Sequence, residues 1–362
     1  MTRILTPALA GLTLLVGAAQ LNTRYDTERT LTVSIETSQT METVASEMTR
    51  DGEPMEGFGG RSGGGGTESS LECTYTDTLL AADDGSPTRM EREYGDVTRT
   101  TTMGFGEESR DMDRTSPLDG ETLSLHVDED GDTIAKLKDD GDPEHDNMLK
   151  GHSLALPLDG LLPEDEVSEG DSWEPEAAAI LTAMGLDVQG ALFPPEERSG
   201  EGWGGRGGGG GGRGGRSWGG SGGSSLSYLN EAEWDAEAKL TDRTETVQDL
   251  ECVVIELTFE TEGDMPERSF GRGRDRDRSF SAWENPFTLE ASERLIESTY
   301  EVEIEGQLYY SIAEQRPVKL VLEGEISVEM NTEIDRDEFS MTIYRLQEGT
   351  IEHTVEITAE DA

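Results

Sequence analysis

The stretch Tyr300-Glu301-Val302-Glu303-Ile304-Glu305-Gly306 decides the fold class. Its apolar residues fall at every second position, and glutamate fills the places between them. Successive side chains of a β-strand point to opposite faces, so this period describes a strand with one dry face and one acidic, wet face.

The same pattern spreads outward from that stretch. Downstream, Ile326, Val328, Met330 and Ile334 alternate with Glu325, Ser327, Glu329 and Glu333, followed by Phe339, Met341 and Ile343, then Ile351, Val355 and Ile357. Upstream lie Val253, Ile255, Leu257 and Phe259; Trp234, Ala236, Ala238 and Leu240; Leu123, Leu125 and Val127; and Leu31, Val33 and Ile35. One-sided strands of this kind build antiparallel sheets with one face in water. The pairs Asp130-Gly131, Glu305-Gly306 and Glu348-Gly349 read as turns between strands. Helix is expected once, over residues 174–184, with Asp171-Ser172 as the cap, Pro175 in the first turn and Gly185 as the stop. The fold class is therefore mostly β: a large twisted antiparallel sheet, half-barrel-like, curved around one short helix.

Three segments interrupt the pattern. Residues 57–66 and 200–225 are dominated by glycine, and residues 269–279 alternate Arg with Asp. Such compositions bury too little apolar surface to fold alone and read as flexible insertions. A single β-rich domain over residues 20–362 accommodates them; the alternative is two β domains split at 200–225.

Residues 1–19 carry Arg3, a short apolar run through Val16, and the small exit Gly17-Ala18-Ala19. This is the pattern of a secretory signal cut after Ala19. The run is shorter than the roughly 20 residues of a membrane span. Export to the periplasm or the extracellular space follows, with a soluble mature chain. In that setting Cys73 and Cys252, the chain's two cysteines, are candidates for one disulfide.

The chain holds 78 acidic against 29 basic residues, a formal charge of −49. That field repels phosphate backbones and excludes nucleic acid as a partner. Asp128, Asp130 and Asp132 space their carboxylates like the start of a calcium loop, but Gly131 falls at position four where an EF-hand needs glycine at six, and a hairpin turn explains the residues equally. The four histidines, His126, His145, His152 and His353, lack zinc spacing. His353 is in phase with Ile351 and Val355, so it should point inward. Gly219-Gly220-Ser221-Gly222-Gly223 matches a nucleophile elbow only by composition, since no strand and helix flank it. No cofactor, no metal beyond that calcium candidate and no catalytic constellation is expected.

One segment carries a resemblance. Leu156-Pro157 through Leu162-Pro163, Val167, and then Gly170-Asp171-Ser172-Trp173 form an "LP…V…GDSW" pattern between strand-bearing halves. It resembles a family of uncharacterised, exported bacterial β-rich envelope proteins. More remotely, it resembles the curved-sheet lipoprotein-carrier proteins of the periplasm; Gly324-Glu325-Ile326-Ser327, following Tyr309-Tyr310, fits the same layout. The resemblance implies a non-enzymatic envelope protein that binds a lipid-like ligand or a protein partner on a concave sheet face. The alternatives are a structural surface protein without a small-molecule site and, last, a hydrolase with acidic catalytic residues.

Overall fold

The computed structural model describes residues 18–27, 29–55, 65–83, 85–105, 108–139, 141–143, 146–194, 226–265, 293–336 and 339–361. Most of the expected signal, most of the 57–66 tract, and all of 200–225 and 269–279 lie outside the described residues.

The described strands are β1 (Arg29–Arg50), β2 (Glu53–Pro54), β3 (Thr67–Asp83), β4 (Ser86–Phe105), β5 (Glu108–Thr115), β6 (Thr122–Val127), β7 (Thr133–Leu137), β8 (Ser172–Trp173), β9 (Asp235–Val247), β10 (Leu250–Asp264), β11 (Glu293–Ser311), β12 (Arg316–Arg336) and β13 (Phe339–Asp361). They form one antiparallel sheet in the order β7-β6-β4-β3-β1-β13-β12-β11-β10-β9-β8, with β2 attached to β1 and β5 to β4. The path does not close. Strands from both sides of residues 195–225 share this sheet, joined where β1 pairs with β13 along Arg29↔Asp361 to Arg50↔Met341.

The alternation sets which face is dry. Val302 and Ile304 are buried while Glu301, Glu303 and Glu305 are exposed. Leu123 of β6, Val33 of β1 and Leu257 of β10 belong to one hydrophobic cluster. In a flat sheet β6 and β10 would lie on the order of 30 Å apart, at about 4.8 Å per strand. One cluster spanning both requires the sheet to curl around a filled interior. The filling comes from residues 116–194 and 226–234, which press Leu118, Leu158, Leu161, Ile180, Met184, Leu192 and Leu229 onto the inner face. Two short helices, α1 (Ala177–Ala183) and α2 (Gln189–Leu192), lie in this cap.

Glycine lets neighbouring strands approach closely. Glu305-Gly306 and Glu348-Gly349, expected as turns, instead lie within β11 and β13, which run straight through them. Gly306, Gly324 and Gly349 occupy inner-face positions of three neighbouring strands. A Cβ added to them would sit 2.1 Å from Val321 O, 2.5 Å from Glu303 O and 1.9 Å from Thr40 O, respectively. A polar-Gly pair in a strand therefore marked a close backbone approach rather than a turn. The expected turn at Asp130-Gly131 does form, with Gly131 at φ +92°. Gly349→Ala should lower stability by about 2–3 kcal/mol, read as the urea midpoint, because the methyl must push Thr40's carbonyl away. An unchanged midpoint would mean the close approach is not there.

Three other expectations need correction. The helix starts at Ala177, not at 174, and neither Asp171 nor Ser172 caps it. Ser172 and Trp173 pair instead with Lys239 and Ala238 as β8. Val127, expected to share the dry face of Leu123 and Leu125, ends its strand in solvent. Cys73 and Cys252 are both free thiols. Cys73 sits on β3 in the inner core, whereas Cys252 sits five strand steps away on β10, facing away from Val253 and Ile255. A disulfide requires Cα atoms within about 7 Å, so no bond can join them. Burial pushes the Cys73 thiol up to about 12, which leaves it unreactive at neutral pH.

Candidate functional site

Of the calcium candidates, Asp128 takes part in a turn. Asp128 Oδ1 accepts the backbone N–H groups of Asp130 and Asp132 at 2.9 and 3.0 Å, while Asp130 and Asp132 stay exposed at the hairpin tip. Among the described residues, no three His, Cys, Asp or Glu side chains converge on a point that could hold a metal. His145 and the Gly-x-Ser-x-Gly match lie outside the described residues.

The capped half of the inner face is a closed polar and apolar mosaic. Arg92 donates from Nε and Nη2 to both oxygens of Asp77 at 2.7 and 2.8 Å, with side chains only 5% and 3% exposed. Its guanidinium lies 4.2 Å from the Tyr75 ring centre and also donates to Ser153 O. His152 bridges Met148 O and the Tyr94 hydroxyl. Asp159 accepts hydrogen bonds from Thr23, Tyr25 and the Leu156 N–H. These bonds stitch Thr23 and Tyr25 to the cap. Trp173 Nε1 donates to Leu161 O, so the Trp of the "GDSW" pattern is an anchor. The spaces beside Arg92 and beside Asp77 measure only about 30 and 10 Å³, respectively. A lipid chain does not fit there; roughly one water would.

Over the other half of the inner face no described residue forms a cap. Beyond Met41 the core cluster thins out, and Met48, Met330, Ile334, Met341 and Ile343 are only half-buried. Register places them side by side: Met48↔Ile343, Thr332↔Ile343, Ile334↔Met341 and Met330↔Arg345. Arg50 is exposed at the rim and stacks on Phe339, its guanidinium 4.7 Å from the ring centre. At the β4–β5 margin the same face carries Arg99, Met103, Arg110, Met112 and Arg114. On this uncovered face β1, β12 and β13 present methionine, isoleucine, threonine, serine, glutamine and arginine, and no Asp or Glu.

The acids are on the outer face. Glu260, Glu303 and Glu325 stand directly opposite one another across β10, β11 and β12, and Glu305, Glu323 and Glu352 do so across β11, β12 and β13. These rows line a wide, open groove of about 960 Å³. Like charges directly across a strand pair are destabilising, so these rows lean on salt to screen them.

Sequence reasoning found the wet acidic face but missed the basic inner one. The signal was present in Arg110-Asp111-Met112-Asp113-Arg114. Its period of two sends both arginines and the methionine one way, while Asp113 and Asp111 bond Thr100 and Thr102 on the other side.

No family profile matches the chain, and no curated protein matches it. Among solved structures, the outer membrane protein OprG from Pseudomonas aeruginosa is similar over 94% of this chain and 99% of its own, at 7% identity and a TM-score of 0.19. A score that low does not establish a common fold, and no property of that protein transfers to this one. Among the described residues, no helix is long and apolar enough to cross a membrane.

Proposed function

We propose that this is an exported, non-enzymatic envelope protein that holds a protein partner on the uncovered half of its inner sheet face. One observation carries the reading. In a chain with 78 acidic residues, that half-buried face of β1, β12 and β13 has none and offers Arg50 and Arg345 among methionine and isoleucine. Segregation this complete matches a partner segment that presents carboxylates beside apolar side chains. Methionine adapts its shape to such a segment, and arginine supplies the charge-assisted bonds. Export, to the periplasm or beyond, is supported by the signal pattern of residues 1–19. The carrier reading, with a lipid-like ligand inside the curve, is weakened because the cap fills the space where such a ligand would sit.

The test places a photoreactive phenylalanine analogue at Ile343 or at Tyr344 in the native cells. These neighbours share a strand and project to opposite faces. Adducts at position 343 and not at 344, released by high salt before irradiation, are expected. Equal capture from both positions, or none from 343, would reject the reading.

A further inference from the structure

We propose that Arg99 and Arg114 form a binding site for an oxyanion at the border between the capped and uncapped inner face. The two residues are direct cross-strand partners on β4 and β5. Both guanidinium groups gather on Phe193, at 4.3 and 5.7 Å from its ring centre. Like charges in that relation repel each other, and flexible arginines would splay apart unless held. Here each is held: Arg99 donates to Gln189 Oε1 at 3.3 Å, and Arg114 donates to the Pro194 carbonyl. Both anchors are neutral. Among the described residues neither arginine has a carboxylate partner, although acids outnumber basic residues 78 to 29 in the chain.

The neighbouring carboxylates are turned away by the strand itself. Asp111 and Asp113 alternate with Arg110, Met112 and Arg114, and they bond threonines on the outer face. Burial and the nearby Arg114 charge push Arg99 down to about 10, which is the direction expected of a cation lacking its counter-ion. Each guanidinium has five N–H donors in a fixed fork, and a single hydrogen bond from each among the described residues leaves most of them for a ligand. An oxyanion bridging the two would relieve their repulsion and take several charge-assisted bonds at once. A phosphate group and a carboxylate both have that chemistry. The site stands independently of the partner reading, since a free small anion would occupy it as well.

The test follows the arginine side-chain Nε–H signals of the full mature chain by NMR, with the Arg99 and Arg114 signals assigned from their loss in R99Q and R114Q. Inorganic phosphate and N-acetylglutamate amide are titrated separately at constant ionic strength. The measurement is repeated on E196Q/E197Q, so that carboxylates just beyond Pro194 in sequence cannot hide binding. The expected result is saturable, concerted movement of both signals with at least one probe, abolished by either single substitution. Saturation by phosphate alone assigns a phosphorylated ligand, and saturation by the glutamate amide assigns a carboxylate one. Linear drift without saturation in both protein forms, or shifts that survive in R114Q, would overturn the proposal.

Discussion

Arg92→Met will cost about 3–5 kcal/mol of stability, whereas the double change Arg92→Met with Asp77→Leu will recover most of that loss. The reasoning starts from burial. Asp77 is 3% exposed and Arg92 5%, so neither charge retains its water. Their two parallel hydrogen bonds, the Tyr75 ring beneath the guanidinium and the bond to Ser153 O replace that water. Removing Arg92 alone strands a carboxylate in the core, with no other cation bonded to it among the described residues. Removing both deletes the desolvation problem and leaves two apolar side chains of similar length against Leu79, Met90 and Leu125. Urea unfolding at pH 7 of the natural chain, both single variants and the double variant closes the cycle. Additive losses would mean the pair is not the unit described here. A single-variant loss below about 1 kcal/mol would put the pair in water, where exposed ion pairs fall.

How much was legible in the sequence follows from the range of each signal. Side-chain alternation is a local consequence of strand geometry, so Tyr300-Glu301-Val302-Glu303-Ile304 announced its own faces correctly. The inward position of His353 was legible by the same logic. Close backbone approaches were not. Glu348-Gly349 reads identically whether glycine supplies a turn or makes room for Thr40's carbonyl, because the carbonyl it approaches is some three hundred residues away in sequence. The two cysteines looked like a pair for want of the strand order, which no local pattern encodes. The arginine face was half-legible. Period two in Arg110-Asp111-Met112-Asp113-Arg114 separates the charges, but only the register Arg99↔Arg114 and the placement of Phe193 from the cap bring two cations together. Likewise, nothing local indicates that the described cap residues cover only half of the inner face.

Acidification from pH 6.5 to 4 will loosen the cap through two buried histidines, and His353→Gln will remove about half of their share. His353 joins β13 to the end of α1: its Nε2–H donates to Ala183 O at 2.8 Å, and its Nδ1 accepts from Thr37. His152 makes the matching connection from β4 to the cap through Tyr94 and Met148. Both rings are satisfied only when neutral, because each uses one nitrogen as donor and the other as acceptor. Burial lowers both from 6.5 to about 4. A depressed folded-state value means the stabilisation is fully present above 6.5 and is lost as pH falls toward 4. Each histidine then forfeits about 3 kcal/mol over that window. Asp159 works in the opposite direction. Burial raises it to about 6, so its contribution is present at low pH and lost as pH rises through 6; acidification to pH 4 returns about 2 kcal/mol. Asp187, also raised by burial, adds to that return. The two histidines exceed Asp159 alone, so unfolding free energy should fall by a few kcal/mol between pH 6.5 and 4. Glutamine at 353 keeps a donor for Ala183 O and cannot titrate. The pH slope of its unfolding free energy should differ from that of the natural chain by up to one proton, about 1.4 kcal/mol per unit, between pH 4.5 and 6. Equal slopes would show that His353 meets water, and that the cap is not fastened to β13 by a neutral ring.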